Sequence, residues 1–142
     1  MEISIVRRHV QAAMTSARDR ARLRRQRADE ADKAYGDFLD RVAIPLARQV
    51  VNALRAENYA FTVSTPGRGL RLSSDHGRDD FVELELRTDL DTPQVVGRIR
   101  RTRGSRTTDE ERAIKPDTLP QDLTEEDVLG FLMEVLGPWL ER

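Results

Sequence analysis

The chain has 142 residues, 38% of them hydrophobic and 35% charged, with a formal net charge of −1 and no cysteine. That length suits one domain with an appended element, and the near-zero charge gives no global field toward nucleic acid or membrane. Without cysteine there is no disulfide framework and no thiolate metal site, which fits a reducing compartment.

The first third reads as one long helix. Residues 1–42 hold no proline and a single glycine, Gly36. Alanine, arginine, glutamine and glutamate dominate there, all good helix formers. Val10, Met14, Ala17, Ala21, Arg24, Ala28, Ala31, Tyr35, Phe38 and Val42 recur at alternating steps of four and three. That heptad spacing defines a coiled-coil-like seam along which a second helix packs. Alanine in the middle of the seam allows close approach but supplies little apolar area. Val10 and Met14 at one end, and Tyr35, Phe38 and Val42 at the other, are the stronger anchors.

Charge along this helix falls into two blocks. Arg18, Arg20, Arg22, Arg24, Arg25 and Arg27 are set against Asp19 alone; Asp29, Glu30, Asp32, Asp37 and Asp40 are set against Lys33 alone. An antiparallel pair of such helices centred near Ala28 lays each basic block on the partner's acidic block, whereas a parallel pair lays like on like. Exposed pairs are individually weak, but uniform blocks set orientation. The partner expected is a second copy of the chain, as an antiparallel dimer, or another helical protein.

Pro45 should kink or restart the helix, and Leu46, Val50, Ala53 and Leu54 give the following segment an apolar stripe. A β region follows. Tyr59, Phe61 and Val63 alternate, Pro66-Gly67 turns the chain, and Leu70 and Leu72 alternate in the next strand. Val82, Leu84 and Leu86 alternate with Glu83 and Glu85, and Val95, Gly97 and Ile99 alternate with Arg98 and Arg100. Gly104-Ser105 marks a tight turn into a weaker fifth strand over 107–114. Thr124 has the chemistry of a helix N-cap, with Glu125, Glu126 and Asp127 in the first turn. Val128, Phe131, Leu132, Val135, Leu136, Trp139 and Leu140 then form an apolar face, with Gly137-Pro138 expected to interrupt it.

The fold class is therefore α+β: a long N-terminal helix, a four- to five-stranded antiparallel meander, and a C-terminal helix packed on the sheet. The expected division is an association helix over 1–44 and a small α+β domain over 45–142.

Three places invite chemistry. The arginines at 18, 20, 22, 25 and 27, with Arg101, Arg103 and Arg106 near the last hairpin, could contact nucleic-acid phosphates. The acidic block beside the first group opposes that, and little aromatic interleaving is present for base stacking. Around the second group, placing Leu84 opposite Ile99 sets Glu85 against Arg98 and Glu83 against Arg100. The Gly104-Ser105 turn sets Asp109 against Arg100 and Glu111 against Arg98. A solvated charge ladder results. The loop over 73–80, with Asp75, His76, Asp79 and Asp80, holds metal-binding and acid–base residue types, but such residues are also ordinary turn formers. Gly67-Arg68-Gly69 joins two strands and is not a phosphate loop.

The function expected is non-enzymatic: a subunit, adaptor or small chaperone of a bacterial assembly that self-associates or docks through its N-terminal helix. An accessory nucleic-acid-binding protein is the alternative, and a small enzyme or metal site in the 73–80 loop the third. No cofactor or resident metal is expected. Arg7, Arg8 and His9 interrupt any apolar leader, no run is long enough to span a bilayer, and the expected address is the cytoplasm.

Overall fold

A computed structural model describes residues 1–77 and 79–141. The chain divides into two compact units, residues 1–30 and 31–142. Helix α1 runs Ile3–Phe38 and crosses that division; a π-helical turn, Leu39–Ala43, leads into α2, Ile44–Ala56. The helix restarts at Pro45, as expected. The proline falls at the start of α2, where a missing N–H costs least, and the preceding turn is widened, with the Ile44 N–H donating to the Leu39 carbonyl. π-Turns of this kind absorb local mismatch within a helix.

The sheet contains β1 (Phe61–Ser64), β2 (Leu70–Ser74), β3 (Phe81–Arg87), β4 (Gln94–Arg103) and β5 (Arg106–Ala113). They pair antiparallel in chain order, a five-stranded meander. The fifth strand is thus present. Gly104 at φ +64° is the first of the two residues between Arg103 and Arg106, the position where a type II′ hairpin needs a left-handed residue.

The β3–β4 register differs from the sequence expectation by two residues. Leu84 faces Gly97, Val82 faces Ile99 and Glu83 faces Arg98. The packing of α3 (Glu125–Leu140) explains the choice. A Cβ on residue 97 would lie 2.3 Å from Phe131 Cζ, so the Phe131 ring occupies the space that Gly97 leaves open over the sheet. The β4–β5 register is the expected one, with Arg100 opposite Asp109 and Arg98 opposite Glu111.

One apolar core fills the second unit. Phe61, Leu70, Leu72, Val82, Leu84, Val95 and Ile99 from the sheet meet Val128, Phe131, Leu132, Val135, Leu136 and Trp139 of α3. Val50, Val51 and Leu54 of α2 join them, and so do Tyr35, Phe38 and Leu39. Helix α3 opens with a capping box: Thr124 Oγ1 accepts from the Asp127 N–H at 3.2 Å, and the Asp127 carboxylate accepts from the Thr124 N–H at 3.0 Å. That bond holds the Asp127 carboxyl below its ordinary range. Pro138 does not end α3, which continues to Leu140.

Candidate interaction surface

The seam read from the sequence divides into two parts. Ala31, Tyr35 and Phe38 are buried and Val42 is half-buried, with Tyr35, Phe38 and Val42 in the core of the second unit. The Tyr35 hydroxyl donates to the Leu84 carbonyl at 3.1 Å. Burial first, and the nearby Glu85 and Glu83 carboxylates second, raise the Tyr35 pKa well above its ordinary value near 10. These anchors serve the chain's own fold, so they are not free for a partner.

In the first unit the seam is open. Every residue over 1–30 is exposed except Ala21 and Ala28, which are half-buried. Val10 is 51% exposed and Met14 48%. The stripe also starts earlier than Val10: Ile3 and Val6, at the same helical spacing, are 78% and 46% exposed. That extension was legible in the sequence as further steps of three and four.

The arginines of this unit are solvated. Arg22 bonds Asp19 at 2.5 Å within the helix, and among the described residues Arg18, Arg20, Arg24, Arg25 and Arg27 form no ion pair. At roughly 100° per residue, Arg7, Arg18 and Arg25 lie on one side of the apolar stripe, Arg20 on the other, and Arg24 within it. Asp19 falls on the back of the helix.

The arginines of the sheet behave differently. Arg100 meets Asp109 through two bonds, at 3.0 and 3.2 Å, and this holds the Asp109 carboxyl low. Arg98 lies 3.9 Å from Glu85, and Arg71 bonds Glu83 at 2.9 Å. Arg87 bridges Asp89 and Glu111 at 2.6 and 2.7 Å. Beneath this ladder lies Phe81, which the alternation beginning at Val82 leaves out. The Arg71 guanidinium is 4.3 Å from its ring centroid, Arg100 5.7 Å and Arg98 5.8 Å. Their stems leave the ring only 5% exposed although it lies on the face opposite Val82. Arg101, Arg103 and Arg106 form no ion pair among the described residues.

Within the 73–80 loop, Arg78 lies outside the described residues. Asp80 is buried; its Oδ1 accepts from the Thr102 N–H at 2.7 Å and its Oδ2 from Trp139 Nε1–H at 3.0 Å. Asp75 accepts from the Thr62 hydroxyl at 2.7 Å. A cleft of about 270 Å³ opens here, bordered by Ser74, His76, Asp80, Arg101, Arg103 and Trp139. Both carboxylates are thus engaged in holding the loop and α3 to the sheet. Among the described residues no group of three or more His, Asp or Glu side chains is placed to hold a metal ion, and no helix is long and apolar enough to cross a membrane.

No protein-family model, no curated protein and no solved structure matches the chain.

Proposed function

We propose that the protein is a non-enzymatic association module that docks a helical partner along residues 3–28. The observation that carries this reading is the exposed apolar stripe of Ile3, Val6, Val10 and Met14 on a helix with no buried residue before Ala31. Most helical stability in proteins comes from burying an amphipathic face. Full burial of such a side chain contributes about 1.5–3 kcal/mol, and covering the exposed half of Val6, Val10 and Met14 gains a corresponding share of it. The small residues Ala17, Ala21 and Ala28 allow a second helix to approach closely along the rest of the stripe. Aligned antiparallel, such a pair continues the heptad seam read from the sequence.

A second reading, nucleic-acid binding, is favoured by the solvated arginines at 18, 20, 25 and 27. The aliphatic stripe between them argues for protein, because a phosphate backbone leaves Val10 and Met14 in water.

Photocrosslinking in the protein's own cell separates the readings. A crosslinking residue at Val10 or Met14 should capture one discrete protein, and the same residue at Asp19, on the back of the helix, should not. Equal capture at all three positions, none at any, or capture of nucleic acid at Val10 contradicts docking through the stripe.

A further inference from the structure

The charge pattern beside the stripe says what kind of helix it fits. Between residues 3 and 28 there are eight arginines and one acid, Asp19. Asp19 lies behind the stripe and is occupied by Arg22. The arginines border the apolar residues on both sides. A second copy aligned over the same residues sets arginine against arginine when parallel, and when antiparallel lays the arginine block along residues 4–13, which hold Arg7 and Arg8 and no acid. The acidic block that would make the helix self-complementary begins at Asp29, where the stripe turns inward: Ala31, Tyr35, Phe38 and Leu39 are buried in the chain's own unit. Of the acids there, Asp29 alone is exposed beside the end of the open seam, on the Arg18 side, while Asp32 is half-buried. Asp37 and Asp40 are exposed, but by helical spacing they fall well away from the line through Tyr35 and Phe38.

We propose, building on the association reading above, that the occupant of the 3–28 stripe is an acid-flanked amphipathic helix of a different protein, not a second copy of this chain. Its apolar seam covers Val10 and Met14, and carboxylates on both of its flanks meet Arg18 and Arg25 on one side and Arg20 on the other. Arg24 sharpens the requirement. It stands within the stripe at a core-type position, and a guanidinium covered by a partner is costly unless a carboxylate meets it. The partner therefore carries an Asp or Glu at the seam position facing Arg24, and that single polar pair fixes register.

Magnitudes favour charge as the deciding element. Three of the four side chains are already about half covered by the helix itself, so the apolar area left to bury is small beside the entropy cost of association. The apolar stripe alone falls short of that cost. Complementary flanks then select the partner, and like charges exclude the wrong one.

The test uses the full chain and two labelled synthetic helices with the same leucine seam, one flanked by glutamate with a seam glutamate for Arg24, the other flanked by lysine. Fluorescence anisotropy should show binding of the glutamate helix, weakening as salt rises, and no binding of the lysine helix. The R18E/R20E/R25E variant should reverse that preference. Its thermal transition should match the parent, because these side chains are solvated. Loss of glutamate-helix binding on changing Arg24→Leu, with the other arginines kept, would place the seam carboxylate.

If the chain instead sediments as a dimer at tens of micromolar and ignores both helices, a second copy is the occupant; the partner proposal fails while the association reading stands. If both helices bind alike, charge does not select the partner and the proposal also fails. Binding of random duplex DNA in place of the glutamate helix, or of nothing at all in a monomeric chain, overturns both.

Discussion

Removing the Asp80 carboxylate should loosen the C-terminal helix from the sheet. Its two oxygens hold a Trp139 indole N–H and a Thr102 backbone N–H, and the residue is 6% exposed. In Asp80→Ala both donors lose their acceptor. An unsatisfied buried donor costs about 1–3 kcal/mol. Trp139 is buried, whereas Thr102 is an exposed residue and its bond to Asp80 is only part-buried. The expected loss is therefore about 2–4 kcal/mol. Trp139→Phe removes one of the two bonds and keeps most of the ring volume, so it should cost less. The two changes should be non-additive, because Asp80→Ala already breaks the Trp139 bond. Calorimetric unfolding measures all three variants without relying on Trp139 fluorescence. An Asp80→Ala protein within about 0.5 kcal/mol of the parent, the range typical of surface changes, would refute the claim that this carboxylate fastens α3.

Gly97→Ala should cost about 1–3 kcal/mol by overpacking against Phe131, and the same change in a Phe131→Leu background should cost clearly less, as read by urea unfolding. Thr124→Ala removes the side-chain cap of α3 and should lower stability by about 1 kcal/mol, while the Asp127 carboxyl should stay below its ordinary pKa by NMR titration, because its main partner, the backbone N–H of residue 124, remains. Tyr35 supplies a pH test. Its pKa is raised in the folded chain, so the folded state binds the proton more tightly and stability is intact below the unfolded value near 10. Above pH 10 stability should fall at up to about 1.4 kcal/mol per pH unit from this group, and Tyr35→Phe should remove that slope while costing about 1 kcal/mol at neutral pH for the lost bond to Leu84.

Much of the architecture was legible because local rules agree. Alternation marks the first four strands, Gly104 marks the last hairpin, and Thr124 marks the start of α3. The β3–β4 register was not legible, since it depends on a distant ring: Phe131 on α3 selects Gly97. Phe81 was missed because its partners, Arg71, Arg98 and Arg100, come from two other strands and read as solvated charge. Asp80 looked like a turn former, and only the fold brings Trp139 to it. For the association surface, the heptad period was visible along all of 10–42, but period alone does not say which stretch of a seam the chain uses itself. Tyr35 and Phe38 look like partner anchors in sequence and are core residues in the fold.

Amide hydrogen exchange on the full chain, with and without the glutamate-flanked helix, tests the association surface most directly. Residues 3–28 should exchange fast in the free chain and become protected when the helix is added, with residues 31–77 and 79–141 unchanged. Unchanged exchange over 3–28, or protection confined to the sheet and α3, would show that the N-terminal stripe is not where this protein meets its partner.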